Sequence, residues 1–315
     1  MTVSGIYDVA IVGSGPAGLS AGIYSGRSRM STLIIEKQKP GGQAATTSEI
    51  DNYPGGDEDE TGPALIGKML KQAERFGVER VMDEIVSVDL AGGVKTLAGK
   101  KGEYRAKTVI VAGGAFPRQI GCKGENEFIG KGVSYCATCD GPFFEEMEVF
   151  VVGAGDSAIQ EALYISRFAR KVTVLYRRGQ AEMRAAKSLL QKAFDNPKLN
   201  FVYHTVVEEL RGESGVLDTI VVKNTETGET SEFRADEDDG TFGLFVFIGF
   251  VPHTDIFEGK IEMEGGYILA DENMRTNVPG VYAAGDCRAK PLRQVVTAAA
   301  DGAIAAVHAE KFIEA

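Results

Sequence analysis

Two glycine turns of one design, at the N-terminus and mid-chain, constrain this sequence more than any other feature. The first is Gly13–Ser14–Gly15–Pro16–Ala17–Gly18. It follows the apolar run Val9–Ala10–Ile11–Val12, which reads as a buried parallel strand. A helical run to about Ser25 comes next, then the strand Thr32–Leu33–Ile34–Ile35, ending at Glu36. The second turn, Gly153–Ala154–Gly155–Asp156–Ser157–Ala158, follows Val149–Phe150–Val151–Val152. A helix through Glu161, Ala162 and Leu163 leads to the strand Lys171–Tyr176. Each segment is strand, glycine turn, helix, strand, which is a βαβ unit. Further strands are expected near Thr108–Ala112, Phe201–His204, Asp218–Val222, Leu244–Ile248 and Gly280–Ala284, and an exposed acidic loop at Ala235–Gly240.

In such a unit the first glycine permits a tight turn and the second lets the backbone approach a pyrophosphate. The third position allows close helix–strand packing, and the helix N-terminus adds partial positive charge. The chain is therefore expected to be α/β, with two Rossmann-like dinucleotide-binding domains. The residue closing the second strand separates the ligands. Glu36 can accept hydrogen bonds from a ribose 2′-OH and would repel a 2′-phosphate, so the first site suits FAD or NAD. At the equivalent place in the second unit stand Tyr176, Arg177 and Arg178, with no acid. Guanidinium groups match phosphate geometry, so this site is expected to prefer NADPH. Two nucleotide sites in one chain imply hydride transfer between two carriers, the second most economically a flavin.

Cys136 and Cys139 form a CxxC in the stretch Ser134–Tyr135–Cys136–Ala137–Thr138–Cys139–Asp140–Gly141–Pro142. A zinc site needs about four ligands. Cys122, Cys287 and the histidines His204, His253 and His308 are scattered, so no metal site is expected. A redox disulfide fits the spacing. Asp140, next to the pair, is read either as an acid/base for the thiols or as a cap of the Gly141–Pro142 turn. The net charge of -11 argues against a nucleic-acid surface. The lack of a long apolar run argues against a membrane span. Met1–Tyr7 shows no export signal, and a cytoplasmic location is expected.

Taken together, these stretches closely resemble the low-molecular-weight, bacterial-type thioredoxin reductases. The resemblance also rests on Gly41–Gly42–Gln43 with Asn52–Tyr53–Pro54–Gly55, on Ala112–Gly113–Gly114–Ala115–Phe116–Pro117–Arg118, and on Gly285–Asp286 with Arg293–Gln294. It implies a homodimer whose discontinuous FAD domain spans 1–117 and 246–315, with an inserted NADPH domain, 118–245, that carries the cysteines. FAD would be held by Gly13, Gly15, Pro16, Ala17, Gly18, Glu36 and Lys37, by Gly42, Gln43, Asn52, Ala112 and Gly113, and by Asp286, Arg293, Gln294 and Val295. NADPH would be held by Gly153, Gly155, Asp156, Ser157, Arg177 and Arg178.

By the same resemblance Cys139 lies nearest the flavin, Cys136 attacks the disulfide of thioredoxin or a thioredoxin-like protein, and Asp140 is the acid/base. The family pattern His-Arg-Arg, then Arg after three residues, is altered here. Tyr176 stands for the histidine, and five residues separate Arg178 from Arg184. Because the cysteines are close in sequence to the second turn, they are expected to move with the NADPH domain, which would rotate on hinges near Pro117 and Phe245. A dithiol oxidase or a ferredoxin-linked reductase of the same fold is disfavoured by the intact second turn and its arginines. A hydroperoxide-reductase relative would carry an extra N-terminal module before the first strand.

Overall fold

The computed structural model describes residues 5–47, 50 and 52–315. Residues 1–4, within the Met1–Tyr7 stretch read for an export signal, lie outside the described residues. The chain divides into two compact units, Met1–Phe116 with Val251–Ala315, and Pro117–Phe250. The strands Ala115–Pro117 and Phe250–Pro252, where the chain passes between the units, pair with each other.

The first unit is built on a sheet in the order Glu79–Met82, Thr32–Glu36, Ile6–Val12, Glu103–Val111, Lys95–Gly99, Ile85–Asp89. Val281–Ala283 also pairs with Glu103–Val111. Its central pairings are parallel, with Ile11 opposite both Ile34 and Ile110. Both faces are covered at its centre, so Val9–Ile11, Leu33–Ile35 and Val109–Val111 are apolar throughout rather than alternating. Val9, Ile11, Ile34 and Ile110 pack beneath the helices Pro16–Arg27, Gly62–Arg75 and Val295–Glu314. Leu33, Ile35, Val109 and Val111 pack on the other side against Val88, Leu97, Phe257 and Ile261.

The Pro16–Arg27 helix begins with proline in its first turn, where the absent N–H costs nothing. It is buried nearly all round because the C-terminal helix lies on it backbone to backbone. A Cβ on Gly302 would stand 2.0 Å from the Ala17 carbonyl oxygen.

The second unit has a parallel sheet in the order Leu199–Val202, Lys171–Leu175, Glu148–Val152, Gly243–Val246, Val133–Ser134. Val149, Val151, Val172 and Val174 face the helix Asp156–Ile165 through Ala158, Ile159, Ala162 and Ile165. Phe150, Leu244 and Val246 face an antiparallel sheet of Thr205–Arg211, Thr219–Asn224 and Thr230–Arg234, through Val207, Leu210, Ile220 and Val222.

Two expected strands differ in extent. The one near Phe201–His204 is interrupted, because His204 takes a left-handed φ of 51° and turns the chain into the antiparallel sheet. The one near Thr108–Ala112 starts earlier, at Glu103, where buried Tyr104 and Ala106 alternate with exposed Glu103 and Arg105. The stretch Ala235–Gly240 is a turn-rich surface segment whose Asp239 pairs with Arg170 at 2.6 Å. Among the described residues no helix is long and apolar enough to cross a membrane.

Gly302→Ala should destabilise the protein by about 1–3 kcal/mol, since backbone atoms cannot move aside as a side-chain tip would. Urea denaturation followed by circular dichroism should show the lower midpoint.

Candidate active site

Gly13 has φ +105, and a Cβ there would lie 2.3 Å from the Ala112 carbonyl oxygen. A Cβ on Gly18 would lie 1.9 Å from the Gly13 carbonyl oxygen. Gly15 is different. Nothing lies closer than 4.0 Å to its added Cβ, so this face of the turn is open. Gly15 caps the Pro16–Arg27 helix and makes no side-chain cap bond, so the first-turn N–H groups are left for a ligand.

Glu36 turns back to this loop and accepts from the Ser14 N–H at 2.8 Å and the Ser14 hydroxyl at 2.9 Å. Its other oxygen accepts from the Gln38 N–H at 3.3 Å. A cavity of about 200 Å³ lies alongside, lined by Ser14, Ile34, Glu36, Gln38, Pro40, Arg80, Val81 and Met82. Lys37 is exposed beside it. Gly42 approaches Gly15, Gln43 donates to the Ala115 carbonyl, and a Cβ on Gly113 would meet the His253 carbonyl at 2.9 Å.

The same unit brings in the distant C-terminal residues. Gly285 lies against Ala17, where an added Cβ would be 2.8 Å from the alanine methyl. This sets Asp286 beside the first helix. Asp286 is well shielded, its Oδ1 has no hydrogen-bond partner among the described residues, and burial pushes its carboxyl up against the pull of Lys290 and Arg293. Arg293 Nε is likewise buried without a hydrogen-bond partner among the described residues, with its guanidinium 4.4 Å from the Tyr267 ring centroid. Orphaned polar atoms of this kind call for an external partner. Asn52 donates to Gln294 at 3.1 Å, joining two further predicted residues, and Val295 begins the C-terminal helix.

Sequence reasoning missed what holds this corner. Asp301 accepts from the Gly285 N–H at 3.0 Å, Arg288 at 2.9 Å and Lys290 at 2.7 Å. Burial alone would raise the Asp301 carboxyl, but the two cations outweigh it and hold it below the usual range. The only signal was an acid set among alanines on an apolar helix.

The second turn repeats the device in the other unit. Gly153 has φ +128, with its added Cβ 2.4 Å from the Phe247 carbonyl oxygen, while Gly155 faces open space. Asp156 and Ser157 are exposed, and the Asp156 carboxylate is taken by the Ala186 N–H at 2.7 Å. Tyr176 donates its hydroxyl to the Glu182 carbonyl at 2.7 Å, and the Arg184 N–H donates to the Ala154 carbonyl at 3.2 Å. The longer spacing is thus folded back, so the Arg184 backbone touches the glycine turn. Arg177 is exposed and Arg178 half-buried at the same strand end.

Cys136 and Cys139 form a disulfide with their Cα atoms 5.3 Å apart, across the helical turn Ala137–Asp140. The Asp140 carboxylate does not cap the following turn. It accepts from the Ser134 hydroxyl at 2.6 Å, and Ser134 Oγ in turn accepts from the Cys136 N–H at 3.1 Å. Burial pushes the Asp140 carboxyl up, with the Ser134 bond opposing. The other two cysteines are poor nucleophiles, because burial raises both the Cys122 and Cys287 thiols to about 11. Among the described residues no group of three or more His, Cys, Asp or Glu could hold a metal.

A pair of dinucleotide-type units, one bearing a CxxC disulfide beside a shielded carboxyl, defines a nucleotide-dependent disulfide oxidoreductase. Residues 7–302 match the family described as pyridine nucleotide-disulphide oxidoreductase, and the chain belongs to that family. It is 59% identical over 311 residues to the thioredoxin reductase of Peptoclostridium acidaminophilum, covering 98% of each chain. It is 44% identical over 315 residues to that of Bacillus subtilis, covering 100% of this chain and 97% of the relative. The crystal structure of thioredoxin reductase from Streptococcus pyogenes matches with a TM-score of 0.91 at 41% identity, covering 98% of both chains. Membership implies use of a flavin and a pyridine nucleotide. The open faces at Gly15 and Gly155 and the orphaned Asp286 and Arg293 atoms fit such ligands.

The raised Asp140 carboxyl keeps its proton to higher pH than an ordinary aspartate. An acid role predicts that thiol–disulfide exchange falls as pH rises through that raised value. Asp140→Asn, which cannot titrate, should lower the rate by about a hundredfold and flatten the pH–rate profile. A profile unchanged by the substitution would leave Asp140 with a structural role only.

Proposed function

We propose that this enzyme is an NADPH-dependent thioredoxin-disulfide reductase, with FAD in the first unit and NADPH in the second. The observation that carries the reading is the Cys136–Cys139 disulfide set in the same unit as the arginine-bearing glycine turn. The thioredoxin reductase relatives, alike over nearly their whole length, support thioredoxin or a similar small protein disulfide as acceptor.

When bound, FAD supplies the two-electron relay between the nicotinamide and the disulfide. Glu36, the first glycine turn, Asn52–Gln294, Asp286 and Arg293 would hold it. Reduction cleaves the Cys136–Cys139 bond and, with two protons, leaves two thiols. Cys136, as thiolate, attacks the acceptor disulfide and forms a mixed disulfide. Cys139 then attacks Cys136 sulfur, restoring the internal disulfide and releasing the acceptor as a dithiol. Asp140 donates a proton to the departing thiolate, and the Ser134 hydroxyl links its carboxylate to the Cys136 N–H.

The nicotinamide site and the cysteines share one unit, so turnover requires that unit to present each in turn to the flavin unit. The two chain passages near Phe116–Pro117 and Phe250–Val251 would serve as hinges.

Anaerobic titration with NADPH should bleach the flavin after about two equivalents, one for FAD and one for the disulfide. Cys139→Ser should need about one equivalent and lose turnover of a protein disulfide. Bleaching by a dithiol or reduced ferredoxin, but not by NADPH, would overturn the reading. Separately, Asp286→Ala should yield protein that retains less FAD on gel filtration, measured by the ratio of flavin to protein absorbance.

A further inference from the structure

The segment between the second unit's arginines and the helix Lys187–Phe194 carries an acid that the proposed reaction does not use. Glu182 is anchored at both ends. Its carbonyl accepts the Tyr176 hydroxyl at 2.7 Å, and its N–H donates to the Gly179 carbonyl at 3.0 Å. Its carboxylate Oε2 accepts from the Gly179 N–H at 3.1 Å, while Oε1 stands 3.5 Å from Arg178 Nη1. The carboxylate therefore faces the guanidinium that the NADPH reading gives to the 2′-phosphate. Arg178 is held from behind as well, since its carbonyl accepts the His204 N–H at 3.2 Å. It cannot readily leave the acid by moving its backbone.

We propose that Glu182 is a specificity-determining residue that competes with the 2′-phosphate of NADPH for Arg178. The proposal rests on the assignment of Arg178 to that phosphate. A phosphate arriving at Arg178 must displace a carboxylate that stays pinned nearby on the Gly179 N–H, and the two anions repel each other. NADH has no 2′-phosphate and meets no such opposition. Both side chains of the pair are about half exposed, so the ion pair is weak and a dianion displaces it. Glu182 thus trims the preference for NADPH without reversing it.

The test uses the full-length holoenzyme and two probes that differ only in the phosphate, 2′-phospho-ADP-ribose and ADP-ribose, with affinities measured by calorimetry. Glu182→Gln keeps an acceptor for the Gly179 N–H and removes the charge. It should tighten 2′-phospho-ADP-ribose relative to ADP-ribose by about two- to fivefold at low salt. The gain should shrink at about 0.5 M salt, where screening acts within a few ångströms. An unchanged ratio overturns the proposal. A weakened phosphorylated probe also overturns it, since Glu182 would then be ordering Arg178 for the phosphate. Arg178→Ala separates the two levels of inference. Selective loss of the phosphorylated probe upholds the assignment of Arg178, whereas equal loss of both probes overturns it together with the role of Glu182.

Discussion

Backbone packed directly on backbone is the constraint from which the first unit's geometry follows. The added-Cβ distances at Gly13, Gly18 and Gly302 all end on main-chain carbonyl oxygens, which have no rotamer to change. This contact seats the first helix on the sheet and the C-terminal helix on the first. Glu36 thereby reaches the glycine turn at Ser14, and Gly285, next to Asp286 and far away in sequence, reaches Ala17 in the helix that follows it. Gly15 sits among these crowded positions yet faces open space, as a turn that must admit a pyrophosphate requires.

The second unit uses the same backbone device with different charges around it. In the first unit an acid closes the second strand and is fastened to the turn by Ser14. In the second, Tyr176 occupies that place and fastens the loop that follows instead. The arginines and the disulfide then belong to one compact body. Charge at the strand end and a redox pair near the opposite edge of the same sheet are the features on which the proposed pairing of nucleotide site and electron acceptor in this unit rests.

Buried carboxyls in the two units are handled in opposite ways. Asp301 is surrounded by Arg288 and Lys290 and stays ionised, so it is a fixed anchor. Among the described residues Asp140 has the Ser134 hydroxyl as its side-chain partner, too little to offset its burial, so it is inclined to hold a proton. The difference lies in the number of cations in reach, and it separates a positioning group from one suited to proton transfer.

The strand–turn–helix periodicity, the two glycine turns and the CxxC were local patterns, so the sequence alone determined the α/β class, both βαβ units and the redox pair. It did not reveal the sheet-edge strands Glu79–Met82, which pairs parallel, and Thr230–Arg234, which pairs antiparallel, because most of their residues are polar and exposed. Nor did it reveal the Asp301 triad, the Ser134 link to Asp140, or the fold-back that carries Arg184 to the Ala154 carbonyl. Only tertiary structure decided these. Each is a hydrogen bond whose partner is selected by how chain segments pack, and no local periodicity encodes that choice.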